Sequence, residues 1–198
     1  MAADQVIAFL VFSFVAAVTP GPSNLMLTAT GAAAGFARGL PCLAGVAAGM
    51  GALMFAVALG LGGLVVGHPL AMRALNFAGA AFLLWLAFRI ATARPAEAGV
   101  AAEPVGFMRA AAFQWVNPKS WLVSASAAAT YLHGDGGAAS AQAFTFAGVF
   151  LAAMLPSGAL WLAFGAAMQR WLATPRAARR FNLAMGAALA ASVAFILR

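Results

Sequence analysis

Apolar runs long enough to cross a lipid bilayer fill most of this chain. They divide it into about six stretches, at roughly 5–33, 40–66, 69–92, 108–132, 142–170 and 178–197, and a hydrocarbon core needs about 20 helical residues. A soluble fold would have to cover such runs with a polar shell. The chain is 65% hydrophobic and only 8% charged, whereas a soluble domain is about a quarter charged, so that shell cannot be built. The expected fold class is all-α integral membrane, with six transmembrane helices in a single membrane domain over 1–198. The opening MAADQ has no basic region, so the first run is read as a retained span, not a cleaved signal.

The basic residues lie between the runs, and unevenly. Connections one-to-two, three-to-four and five-to-six hold Arg38, then Arg89, Arg94 and Arg109, then Arg170, Arg176, Arg179 and Arg180. The other side holds Arg73 and Arg198. Positive charge marks the cytoplasmic side, so both termini are expected outside. The net charge of +7 forms no patch or stripe of the kind that grips nucleic acid, which is excluded as a partner. A single cysteine, Cys42, allows no internal disulfide, and no metal-ligand spacing exists. No cofactor is expected. The longest polar connection, ARPAEAGVAAEPVGFMR, reads as a flexible loop.

Six spans can be two sets of three. An odd number per set turns the second set upside down, giving an inverted repeat, a common plan for secondary transporters. The expected division is repeat one at about 1–93, a cytoplasmic loop at about 94–108 and repeat two at about 109–198. NFAGAAF from Asn76 and NLAMGAAL from Asn182 are weakly alike. The stronger sign is punctuation in corresponding spans. TPGPSN, from Thr19 to Asn24, interrupts the first, and NPKS, from Asn117, interrupts the fourth.

Broken backbone at membrane depth is tolerated only where protein buries it or a polar cavity solvates it. At about 1.5 Å per helical residue, both breaks fall nearer the midplane than either surface. Thr19-Pro20 and Asn117-Pro118 each read as an N-cap followed by proline at the first helical position. A helix starting there offers free N–H groups to an anion. The half-helix before it ends in carbonyls, near Val18 and Val116, that favour a cation. Both together fit a zwitterion, hence a small amino acid. The candidate binding residues are Thr19, Pro20, Gly21, Pro22, Ser23, Asn24, Gln114, Asn117, Pro118, Lys119 and Ser120. Lys119 is the clearly intramembrane ionisable group, read as a carboxylate anchor or a proton-exchanging amine.

Other features have plainer roles. Gly31, Gly35 and Gly39, and then Gly45 and Gly49, recur at every fourth residue as small-xxx-small helix packing. Pro156 and Gly158 offer a hinge in the fifth span. Trp115 and Trp121 flank the second break and are placed to wall a site. Asp4, Glu97, Glu103 and Asp135 all stand at span edges, so the usual carboxylate proton carrier is missing. No nucleophile–base pair or catalytic residue is evident, so an enzyme is not expected.

TPGPSN with the downstream glycines GAAAGFARGL and GVAAGMG, FAGAAFLLWLAFRIA in the third run, and FQWVNPKSW in the fourth together resemble the signatures of the LysE/RhtB family of amino-acid exporters. The resemblance covers nearly the whole chain. The family pattern usually has Asn directly after the second proline, where this chain has Ser23 and then Asn24. Some members carry an aspartate near the position of Pro156 and Ser157. The ending, PSGALWLAFGAAMQRW with RRFNLAMGAALAASVAFILR, looks nearest to the cysteine and O-acetylserine exporter branch. The resemblance implies a secondary exporter of small neutral amino acids or derivatives, driven by the proton motive force across the bacterial inner membrane. Direction and energy source come from the resemblance alone. The partners are then an amino-acid substrate and membrane lipid, with homo-oligomer formation left open. Two competing readings stand beside it: the same architecture carrying an inorganic ion or another small metabolite, and a non-transporting membrane subunit.

Overall fold

The computed structural model describes residues 3–92, 104–132, 139–169, 171–172 and 174–196. Each of the six apolar runs is helical, and among the described residues there is no strand. The first run forms α1 (Ala3–Val18) and α2 (Pro22–Ala34), which meet at a 58° bend. The second forms α3 (Phe36–Ala56), a π-helical turn (Val57–Leu61) and the short α4 (Gly62–Val66). The third is α5 (Pro69–Ala91). The fourth splits into α6 (Phe107–Val116) and α7 (Pro118–Tyr131). The fifth is α8 (Ala139–Met168) and the sixth α9 (Pro175–Ile196).

Prolines set the starts. Pro22, Pro69, Pro118 and Pro175 each open a helix, where the missing N–H would have had no intrahelical acceptor anyway. Pro41 and Pro156 instead lie inside α3 and α8. α8 runs on through Pro156 without a break, so the residues expected to form a hinge lie inside one helix. The π-helical turn was not foreseen. Gly60 within it has φ 107° and ψ −8°, a conformation open to glycine and strained for other residues.

Length and apolarity mark Phe36–Leu61, Pro69–Ala91 and Ala139–Met168 as crossing segments, and a fourth if the bent α1–α2 pair counts as one. The other two expected spans fall short for visible reasons. Asn117 divides the fourth run into pieces of 10 and 14 residues. Arg176, Arg179 and Arg180 lower the apolarity at the start of α9.

α8 is the hub, packed against α1, α2 and α3, while α3 also packs on α6 and α5 on α9. Small residues permit these approaches. Gly31 lies on the backbone of Leu162 and Ala166 in α8, and Gly165 returns the contact on Thr28 of α2. Gly45 and Gly49 lie on the backbone of Phe107 and Ala111 in α6. Gly39 faces the Leu162 side chain. Gly35 has another role, since its φ of 83° makes the junction between α2 and α3.

Candidate functional site

The two breaks meet face to face. At the first, the expected capping is shifted by two residues. Thr19 does not cap α2: its N–H and its hydroxyl both donate to Val15 O, at 3.0 and 2.6 Å, and close the end of α1. Gly21 is the N-cap and Pro22 the first helical residue. Both Thr19-Pro20 and Gly21-Pro22 satisfy the sequence rule, and Pro22 decides between them, because the residue before a proline is disfavoured in the helical region and Gly21 is held extended. A Cβ at Gly21 would stand 2.9 Å from Nζ of Lys119, so the lysine side chain lies over that glycine. Asn24 then completes the break, its Nδ2 donating to Ala17 O at 2.9 Å and to Thr19 O at 3.0 Å.

The second break is capped as expected. Asn117 is the N-cap of α7 and Pro118 opens it. Asn117 Oδ1 accepts from the Lys119 N–H at 3.2 Å. The opposite end of the same amide reaches across, with Nδ2 donating to Ser23 Oγ at 3.3 Å. Ser23 Oγ donates to Gln114 Oε1 at 3.1 Å, and Ser120 Oγ donates to the same oxygen at 3.1 Å. Gln114 Nε2 donates to Ala110 O at 3.2 Å. Lys119 Nζ donates to Thr19 O at 2.8 Å. Asn24, Gln114, Asn117 and Ser120 are all buried, and each carries a partner, as most buried polar groups do.

The two helix starts differ electrically. At α7 the side chain and carbonyl of Asn117 take up the first N–H groups. At α2 no side chain caps the start, and the first intrahelical bond is Leu25 N–H to Gly21 O. The N–H groups of Ser23 and Asn24 therefore have no acceptor within the helix. Positive character gathers at the start of α2 and at Lys119.

Between the breaks lies a cavity of about 50 Å³. Of the residues expected at the site, Gly21, Ser23, Asn24, Gln114, Asn117, Lys119 and Ser120 line it. Thr19, Pro20, Pro22 and Pro118 do not line it, and Thr19 and Pro20 are exposed. Trp115 and Trp121 do not wall it either. Trp121 Nε1 donates to Trp115 O at 2.8 Å and staples the backbone across the second break.

The opposite wall was missed. Val46 and Met50 of α3, Val123 of α7, and Phe150 and Met154 of α8 supply it. The i, i+4 spacing in α3 and α8 puts each pair on one helix face. In helices that are apolar all round, nothing in the sequence separates a residue facing a cavity from one facing lipid. The cavity thus has a cationic end, a band of amide and hydroxyl groups, and an apolar wall. Among the described residues that line it there is no carboxylate. This arrangement can hold a small polar solute with an anionic group toward Lys119 and an apolar part toward Met50 and Phe150.

The model of the family described as LysE type translocator matches residues 14–197. The cysteine/O-acetylserine efflux protein of Escherichia coli strain K12 is 35% identical over 125 residues, covering 63% of this chain and 64% of that one. The protein of the same name from Shigella flexneri serotype 5b is 35% identical over the same shares. That of Escherichia coli O6:K15:H31 is 34% identical. The chain thus aligns with 64% of the length of these curated relatives. No solved structure matches.

Proposed function

The chain belongs to the family of LysE type translocators, and on that premise we propose that it exports small neutral amino acids or their derivatives, of the cysteine and O-acetylserine kind. The family is one of translocators, not enzymes, and the long apolar helices make this member a multi-pass membrane protein. The observation that carries the reading is the hydrogen-bonded bridge between the two breaks, with a cavity beside it. Proline kinks that served packing alone would be filled by apolar side chains. Here Ser23, Asn117, Gln114 and Ser120 form one polar chain at the cavity edge.

In this proposal the substrate carboxylate takes the Lys119 ammonium from Thr19 O and lies against the uncapped start of α2. The substrate ammonium displaces the Ser23 hydroxyl from Gln114 Oε1 and lies against the carbonyls at the end of α1. Its short side chain meets Val46, Met50 and Phe150. Lys119, as the titratable group lining the cavity, is the proposed point of proton coupling. The substrate is released by alternating access, the two halves rocking about the site.

Part of the helix packing supports the proposed inverted repeat. Exchanging the halves turns the α3–α6 contact into α8–α1, and both are major contacts, whereas the still larger α2–α8 contact is answered by a much smaller α3–α7 one. α3–α8 and α5–α9 map onto themselves, and both are present. The cavity wall follows the same exchange, with Met50 and Val46 on α3 answered by Phe150 and Met154 on α8. Six crossings follow if α6 and α7 act as one broken span and α9 crosses despite its arginines. The arginine asymmetry supports an inner-membrane placement with both termini outside.

The test is efflux from proteoliposomes loaded with labelled cysteine, O-acetylserine, threonine, leucine and lysine, with and without a pH gradient. Movement of cysteine or O-acetylserine, faster with the gradient, is the expected result. No movement of any amino acid by folded protein would overturn the proposal.

A further inference from the structure

Three helices each carry a stripe of residues leading away from the cavity toward the same face of the protein. That face is where α1 begins, α7 ends and α8 begins. On α1 the stripe runs from Ala17 and Ala16, which line the cavity, through Ser13 to Phe9. On α7 it runs from Ser120 through Ser124 to Tyr131. On α8 it runs from Phe150 to Phe146. These spacings of three, four or seven keep each stripe on one helix face. At about 1.5 Å per residue, Phe9 stands roughly 10 Å beyond the cavity.

The stripes converge on aromatic rings. Phe9 stacks on Phe146 with centroids 4.6 Å apart and planes 6° from parallel. Phe9 also meets Tyr131 at 5.1 Å. Phe9 and Phe146 are fully buried. Below the rings, on the cavity side, the hydroxyls of Ser13 and Ser124 are buried and have no hydrogen-bond partner. A buried hydroxyl without a partner is unfavourable, and one found in a native structure calls for an explanation. A path that fills with water in another conformation supplies one, because both hydroxyls then gain partners when the rings separate.

We propose that Phe9, Tyr131 and Phe146 form a gate that seals the cavity from the face where α1 begins, and that Ser13 and Ser124 line the path it closes. The proposal rests on reading the cavity as a transport site, and adds which residues occlude it and on which side. The gate opens when α8 carries Phe146 away from α1 and α7.

The test uses thiol labelling, which needs no substrate. In a Cys42→Ala background, Ser124→Cys reports the path and Leu132→Cys, past the end of α7, reports the open face. A membrane-impermeant maleimide is added to right-side-out and inverted vesicles, and the side that labels Leu132→Cys is the side used. With the rings intact, Ser124→Cys should label slowly. Adding Phe9→Ala or Phe146→Ala should raise its rate about tenfold, the shift expected when one ring's packing is lost from an open–closed equilibrium. Phe9→Leu and Phe146→Leu keep apolar bulk without the stack, and carry the test if the alanine variants do not elute as folded protein. Ser124→Cys labelling as fast as Leu132→Cys with the rings intact, or unchanged rates in folded ring variants, would overturn the gate. A gate that responds in protein that moves no amino acid would overturn the export reading and leave the gate standing.

Discussion

The ammonium of Lys119 donates to the main-chain carbonyl of Thr19 at 2.8 Å, joining residues 100 positions apart in the chain. The bond ties the second break to the first. It also holds the cation at the cavity edge with a neutral partner, which a substrate carboxylate can replace without an ion pair first being broken.

Lys119→Ala should lower the efflux rate by about 10- to 100-fold, the factor that corresponds to losing a hydrogen bond to a charged group, about 1.5–3 kcal/mol. Elution and melting in detergent should stay close to the parent. Normal efflux would show that the ammonium only braces the Thr19 carbonyl.

Gly21→Ala isolates the position of that ammonium. The backbone there is extended, with φ −171° and ψ 177°, so alanine is not strained. Its Cβ would fall 2.9 Å from Lys119 Nζ and 3.0 Å from Cδ, and the lysine must move. Efflux should drop by up to about 100-fold in folded protein, the loss that a misplacement of about 1 Å can cause. Proteoliposome rates beside a melting curve check this.

Thr19→Val and Ser23→Ala should part company. The Thr19 hydroxyl is exposed and bonds within its own helix, so its loss should change transport by less than about twofold, as for a substitution worth under about 0.5 kcal/mol. Ser23→Ala breaks the link between Asn117 and Gln114 and should raise the half-saturating substrate concentration. In a double-mutant cycle, Ser23→Ala and Asn117→Ala should couple by about 0.5–3 kcal/mol. Additive effects would mean that the polar chain is not a unit.

Gly45→Val and Gly49→Val should damage the fold itself. Each adds bulk where α3 lies on the α6 backbone, at Phe107 and Ala111. Overpacking of this kind costs about 1–3 kcal/mol or more. A lower melting temperature of each variant in detergent is the readout, with efflux per folded molecule unchanged as long as the protein stays in one piece.

The helices were legible because lipid imposes one rule on every residue, and the six apolar runs obey it. The Asn117-Pro118 start was legible because asparagine is the polar residue there that can cap. The start at Gly21-Pro22 was obscured by Thr19, a better side-chain cap, although Pro22 keeps Gly21 out of the helical region. Lys119, Gln114 and Ser120 stood out as polar residues in apolar surroundings. Met50, Phe150 and the rest of the apolar wall had no such contrast, nor did the stacked Phe9 and Phe146 among so many phenylalanines. The turn at Gly60 hid in the glycine-rich GLGGL, where several positions could have bent.

The interlock of Gly31 with Leu162 and of Gly165 with Thr28 has a mechanical consequence. Backbone rests on backbone at both points, so sliding α2 past α8 would press each helix into the other's main chain. α1 holds α8 differently, through flat rings such as Phe9 on Phe146, which slide and part at small cost. A swing of α8 that carried α2 with it would be taken up between α1 and α2, at the 58° elbow. In the proposed alternating access the bend in the first span would serve as the joint, and Ala16, Ala17, Gly21, Ser23 and Asn24 beside it line the cavity.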